Sequence, residues 1–330
     1  MSAKKNYPTR GYLPVIWSYL ARLDEVPCDI FIRSGGRTIL YATTGSNPET
    51  LREKAREGVP LVVREADTYL LRRMLNVSLK RTLADTTIPP TARSKEAYAI
   101  AASIVSHTFR PRARFDRDEA TLVQETVDML TGVFAKEDDS LWTMVASMQR
   151  NMQTHSHAIN TAIYSLGLAK AAGITDADQL RDIGRAGLLV DIGLTTVPAR
   201  VLERPPEELD AQEIRVLRQH PVVGYAIVTR ALGQTPPYAH VILEHHERLD
   251  GSGYPSGRRG GQIAIDSQVV AIADVYDELT TGRFGRPPLA PFDACQQMRF
   301  ARPGQFSDAL MRDFIALLGG WSAIRLSIAS

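Results

Sequence analysis

Histidine is scarce in this chain, and six of its seven histidines fall between His155 and His246. The densest stretch reads His245-His246-Glu247-Arg248-Leu249-Asp250-Gly251-Ser252-Gly253-Tyr254-Pro255. Imidazoles crowded beside carboxylates suit a metal site or an acid–base site. Neighbouring residues of a helix point about 100° apart, so His245 and His246 reach one ion together only from a helix end, or else serve two. The plainer reading of the pair is two surface imidazoles. Isolated carboxylates accompany the histidines: Asp191 in Gly187-Leu188-Leu189-Val190-Asp191-Ile192-Gly193, and Asp274 and Asp277 in Ala271-Ile272-Ala273-Asp274-Val275-Tyr276-Asp277.

The elements that must position these side chains follow from periodicity. Cys28–Arg33 alternates apolar and polar residues like a half-buried strand, Gly35-Gly36 turns the chain, and Thr38–Ala42 is a second strand. Asn47-Pro48-Glu49-Thr50 opens a helix to about Glu57, Gly58 stops it, and Val59–Val63 reads as a third strand. Ala66 to about Leu83 is helical. Thr87–Arg93, with Pro89-Pro90, reads as a linker. Ser94–Phe109 and Asp116–Phe134 have helical periodicity, and from Leu141 onward helices alternate with short loops and no strand. The expected division is a small α/β N-terminal domain over 1–90, a helical connector over 91–140 and an all-α domain over 141–330. The connector could equally be a dimerisation element or the first helices of the last domain.

The 330 residues suffice for two domains with their own cores. A net charge of +2, without a run of one sign, argues against a dedicated nucleic-acid or membrane-surface role but leaves room for a basic pocket that takes phosphate. The two cysteines, Cys28 and Cys295, lie far apart, which excludes a CxxC zinc site and a disulfide framework. No signal-peptide core and no apolar run of roughly 18 residues is present, so the expectation is a cytoplasmic protein without a membrane span.

Four pieces carry a resemblance. Gly187–Gly193, His220-Pro221-Val222-Val223-Gly224, His245-His246-Glu247 with Asp250–Pro255, and Ala271–Asp277 occur in the order and spacing of HD-GYP domains, a branch of the HD phosphohydrolases. The resemblance covers about residues 140–320 and implies an all-α bundle with metals in its core. It also implies hydrolysis of the bacterial messenger cyclic di-GMP to pGpG or GMP. Transferred residue by residue, it makes His157, Asp191, His220, His245, His246 and Asp274 the metal ligands, with Asp191 bridging two ions and central to catalysis. Ligands of this kind suit iron, manganese, nickel or zinc. Arg283 and Arg286 stand where the family places phosphate-binding residues, and Tyr254 joins them as a substrate-binding candidate. Gly251, Gly253, Tyr254 and Pro255 form the signature loop, which lies by the active site and in the family contacts partners such as a diguanylate cyclase. A homodimer is a further expectation.

Three positions depart from the family. Val190 replaces the histidine of the HD pair and has no lone pair to offer. Leu194 replaces a lysine that would contact the substrate phosphate. Gln153 replaces a glutamate that supports a third metal in some members. One metal position, by analogy Asp191, His220, His245 and His246, keeps its ligands. The other, with His157, Asp191 and Asp274, has lost one. Two metal ions lower the pKa of a bridging water and neutralise the phosphate, and removing one charge-stabilising donor typically costs about 10²–10³ in rate. The leading expectation is an HD-GYP-type signalling protein with impaired or absent catalysis that acts by binding cyclic di-GMP or a partner protein. The alternative is an active cyclic di-GMP phosphodiesterase. A different nucleotide phosphohydrolase is a third reading. Other residues carry blander expectations: His155 and His240 as helix residues, His107 as a packing residue, and Glu244 and Glu247 on a solvated helix face.

Overall fold

The computed structural model describes residues 6–7, 11–15, 20, 23–51, 54, 56–110, 115–134 and 156–328. The N-terminal part is a five-stranded antiparallel sheet: β1 (Asn6–Tyr7), β2 (Tyr12–Val15), β3 (Ile30–Ser34), β4 (Arg37–Ala42) and β5 (Leu61–Arg64), in the order β1-β4-β3-β5-β2. The β3–β4 hairpin pairs Ser34 with Arg37 across Gly35-Gly36, and both glycines have positive φ, as a tight primed turn requires. The half-buried alternation expected over Cys28–Arg33 does not form, because Ile30 and Phe31 are both fully buried, one on each face. Ile30, Leu61 and Val63 face the helices, while Phe31, Val62 and Tyr12 form a small cluster on the other face, capped by the Arg64 guanidinium 5.2 Å from the Phe31 ring. The two short leading strands had no such alternation to announce them. Pro48–Leu51 is a 3-10 turn.

The helices follow. α1 (Thr68–Ala84), α2 (Pro90–Val105) and α3 (Arg117–Phe134) precede α4 (Ser156–Ala171), α5 (Ala177–Leu189), α6 (Ala199–Leu202), α7 (Ala211–Arg218), α8 (His220–Leu232), α9 (Ala239–Glu244), α10 (Ile265–Thr281), α11 (Pro291–Phe300) and α12 (Asp308–Ile328). Among the described residues no strand follows Arg64. The expected linker is shorter than Thr87–Arg93, because α2 begins at Pro90, where proline's missing N–H costs nothing. Arg93 is buried.

One contiguous apolar core runs from Val15 and Ile30 in the sheet, through Leu75, Ile100 and Val127, to Ile163, Ile272 and Phe314. Arg72 on α1 joins three helices. It grips Glu119 of α3 through two bonds of 2.7 and 2.8 Å and donates from Nε to the Ile104 carbonyl of α2 at 2.6 Å. α4 packs on α5 and α10, and these three helices carry His157, the Val190-Asp191 corner and Asp274. No helix among the described residues is long and apolar enough to cross a membrane.

Candidate metal centre

Each ligand candidate stands at an element boundary or on a buried helix face. His157 lies in the first turn of α4, and Asp191 follows the end of α5. His220 opens α8, with Pro221 behind it, and His245-His246 follow the last residue of α9. Asp274 is on the buried face of α10. Gly193 is what lets the Asp191 corner approach α8. A Cβ there would sit 2.0 Å from the His220 carbonyl oxygen, so only glycine permits the contact.

Two groups of ligand atoms result, His220/His245/His246 and His157/Asp191/Asp274, with the atoms of each lying within 4.8 Å of one another. In the first group, His220 donates from Nδ1 to the Leu217 carbonyl at 2.7 Å, and His245 from Nδ1 to the Ile242 carbonyl at 2.8 Å. A carbonyl can only accept, so both rings carry the proton on Nδ1 and, when neutral, a bare lone pair on Nε2. Those two Nε2 atoms face each other at 3.1 Å. Lone pairs so placed repel unless a cation lies within reach of both. Burial pushes His245 down to about 4 and lowers His220 and His246 as well, so all three rings are neutral near pH 7 and competent to bind a metal. Asp191 adds Oδ1 at 3.4 Å from His220 Nε2. Three imidazoles and a carboxylate oxygen are a competent donor set for a divalent transition metal.

The second group is wired differently. His157 Nδ1 lies 2.7 Å from Asp277 Oδ2, and its Nε2 lies 3.1 Å from Asp274 Oδ1 and 3.3 Å from Asp191 Oδ2. Burial and the Arg283 charge oppose protonation of this ring, but the three carboxylates outweigh them and hold His157 well above its ordinary value. Burial likewise opposes ionisation of Asp191, and Arg283 and His157 outweigh it, so that carboxyl stays well below the usual range. Asn160 donates to the other Asp277 oxygen at 2.8 Å and accepts from the Tyr98 hydroxyl of α2 at 2.9 Å.

Above both groups opens a cavity of about 490 Å³, lined by Asp191, Asp274, His220 and His246 and by four arginines, Arg218, Arg248, Arg283 and Arg302. Its floor holds the candidate ligands, and its walls carry these four guanidinium groups against the carboxylates of Glu207 and Glu278, a balance that suits a phosphate-bearing ligand.

Comparison with known proteins places the chain in a family. The HD domain pattern matches residues 140–306, half of the chain. The chain belongs to the HD domain family. Relatives and a solved structure are similar to it. The chain is 28% identical over 220 residues to "Cyclic di-GMP phosphodiesterase PA4108" of Pseudomonas aeruginosa, covering 66% of this chain and 52% of that protein. It is 32% identical over 170 residues to "Cyclic di-GMP phosphodiesterase response regulator RpfG" of Xanthomonas campestris, covering 51% and 42%. It is 26% identical over 211 residues to "3'3'-cGAMP-specific phosphodiesterase 2" of Vibrio cholerae, covering 63% and 40%. The chain thus spans about half the length of these relatives. Among solved structures, "Bd1817, a HDG"Y"P protein from Bdellovibrio bacteriovorus" superposes with a TM-score of 0.66 at 17% identity, over 93% of this chain and 99% of that one. That likeness concerns the fold alone.

The HD-GYP positions can now be placed. Val190 is fully buried in the main core, and Leu194 packs with Val197, Val201 and Leu209 in a separate apolar cluster. Gln153 and His155 lie outside the described residues. Tyr254 stacks on His246 with ring centroids 4.6 Å apart, and the Arg218 guanidinium lies 5.4 Å from the Tyr254 ring centre; burial raises its phenol. Gly253 passes so close to the backbone of the His pair that a Cβ would meet the His246 carbonyl at 2.4 Å. Gly251 and Pro255 complete the loop. Arg283 lies on Asp191, its guanidinium nitrogen 2.5 Å from Oδ2. Arg286 is instead tied to Glu207 at 2.6 Å, outside the cavity lining.

Glu244 and Glu247 are buried rather than solvated. Glu247 accepts from the Ser256 and Arg258 amides at 2.7 and 2.9 Å and so pins the signature loop. Glu244 binds Ser267 and Arg258. Neither carboxylate orients an imidazole. That part falls to Asp277, one helical turn after Asp274, whose carboxylate holds His157 Nδ1. His240 is a surface residue that bonds the Pro237 carbonyl. Sequence reasoning missed Arg218, Arg248 and Arg302 as cavity walls. Only Arg248, three residues after His245, carried a local signal.

Proposed function

We propose that the chain is a cyclic dinucleotide receptor of the HD-GYP type, with one well-formed metal position and impaired or absent turnover. Cyclic di-GMP is the first candidate ligand, since two of the similar proteins are named for it. The observation that carries the reading is the uneven state of the two ligand groups. The three-histidine group has neutral rings with converging lone pairs, whereas the other lacks a ligand at Val190 and has no lysine at Leu194. Both substituted side chains are packed into apolar clusters, so the departures are absorbed by the core around them. A metal held by Asp191, His220, His245 and His246 would supply positive charge to a ligand phosphate at the cavity floor. Arg218 and Arg302 contribute charge at its wall, and Tyr254 offers a ring edge beside them.

The second reading, an active phosphodiesterase, is favoured by Asp191. Its two oxygens face the two groups separately, Oδ1 toward His220 and Oδ2 toward His157, which is the arrangement a bridging ligand needs. The signature loop, pinned by Glu247, is the surface we assign to partner proteins such as a diguanylate cyclase.

The test is isothermal titration of manganese- or iron-loaded protein with cyclic di-GMP, beside chromatography of the reaction mixture. Saturable binding without pGpG or GMP is the expected result. Product formation abolished by Asp191→Ala would establish the enzyme reading, and neither binding nor turnover would sink both.

A further inference from the structure

The charge that a second metal ion would bring to Asp191 is already present in the chain. Arg283 follows α10 directly, beyond Gly282, whose left-handed φ of 70° ends the helix. A Cβ on Gly282 would lie 2.6 Å from both the Arg286 carbonyl oxygen and the Pro288 nitrogen, so this turn is fixed in its course. The turn sends Arg283 back over the ligand groups, with its guanidinium 4.8 Å from the Phe284 ring and 2.5 Å from Asp191 Oδ2. Oδ2 is the oxygen that also faces His157. Asp277 is occupied on both oxygens by His157 and Asn160, and Val190 offers no donor, so no nearby side chain among these makes up the missing ligand.

We infer that Arg283 is the built-in second cation of this centre, taking the place at Asp191 Oδ2 of the metal ion that the Val190 position no longer supports. The inference rests on the single-metal reading above and explains it. A guanidinium has five donors, no acceptor and no open coordination position. It can neutralise Asp191 and attract a phosphate, but it cannot bind and acidify a water. A centre with one metal and one guanidinium therefore keeps affinity for a phosphodiester while losing the means to make hydroxide.

The measurement is metal content per chain after manganese loading and desalting, by inductively coupled plasma mass spectrometry, with the spin-coupled two-manganese signal followed by EPR. Wild type is expected to hold one equivalent and show no coupled signal. Val190→His alone stays at one, because Arg283 still holds Oδ2. Val190→His/Arg283→Ala takes up two and gains the coupled signal. Two equivalents in wild type or in Val190→His would overturn the inference, as would a folded double variant that stays at one. Two equivalents in wild type overturn the inference even where a variant fails to fold, and Arg283→Ala alone, in which Asp191 Oδ2 is freed without a change in the core, is then read in place of the double variant. Cyclic di-GMP titration of the same preparations separates the two proposals: one metal without ligand binding would remove the receptor reading and leave the role of Arg283 standing.

Discussion

At the residue scale, the chemistry turns on which atom of each imidazole carries a proton. His220 and His245 spend Nδ1 on backbone carbonyls and aim Nε2 inward, whereas His157 spends both nitrogens on carboxylates. Loss of an outer partner of a metal ligand costs about 10–100-fold in affinity, and His245→Ala, which removes a proposed ligand itself, is expected to cost more in a manganese or zinc titration. A pH effect follows with a definite sign. His245 titrates at about 4 when folded and near about 6.5 when unfolded. Between those values the unfolded chain binds more protons, so metal-free protein loses stability as pH falls through that window. One unit is about 1.4 kcal/mol, which makes the His245 contribution on the order of 3 kcal/mol. His157 has the opposite sign: its raised value stabilises the fold below about 6.5 and the benefit fades as pH rises through the folded value. Urea unfolding of metal-free protein at pH 7 and pH 4.5 checks the first effect in a His157→Gln background. Equal midpoints would mean that His245 is not held neutral by burial.

At the element scale, the centre exists because helix ends meet. The turn after α5 touches the first residue of α8 only because Gly193 has no side chain. Gly193→Ala is expected to push Asp191 away from His220 and to lower metal content, with circular dichroism showing that the helices persist. Unchanged metal content would mean that the corner can shift without losing the ligand. A second element-level device is the Arg72–Glu119 pair, which ties α1 to α3 and, through the Ile104 carbonyl, to α2. Removing one partner of a buried pair leaves an uncompensated charge, at a cost of about 3–5 kcal/mol. Arg72→Ala should shift the denaturant midpoint accordingly, and a shift under about 1 kcal/mol, the scale of an exposed pair, would show that water reaches Glu119.

At the scale of the whole molecule, the sheet, α1–α3 and the HD bundle share one apolar core. We propose that the N-terminal unit does not unfold on its own, so calorimetry should show no separate low-temperature transition for it; a resolved early transition would restore two independent folding units. The same continuity gives α2 a polar route to the centre, from the Tyr98 hydroxyl through Asn160 and Asp277 to His157.

What the sequence determined by itself was the inventory of chemistry. Through its resemblance to HD-GYP domains it offered His157, Asp191, His220, His245, His246 and Asp274 as candidate ligands, and it marked Val190 and Leu194 as departures because no lone pair or charge can come from them. The β3–β4 hairpin and the long helices were legible for a similar reason: period and turn chemistry are local. Tertiary structure decided what depends on distant segments meeting. It set Arg283 against Asp191, turned Glu247 inward to hold the loop, assigned Asp277 to His157, and brought Arg218 and Arg302 to one cavity. It also sent Arg286 to Glu207 instead. No spacing encodes these contacts, because each joins residues whose separation is fixed by helix packing and by the close approaches at Gly193 and Gly253.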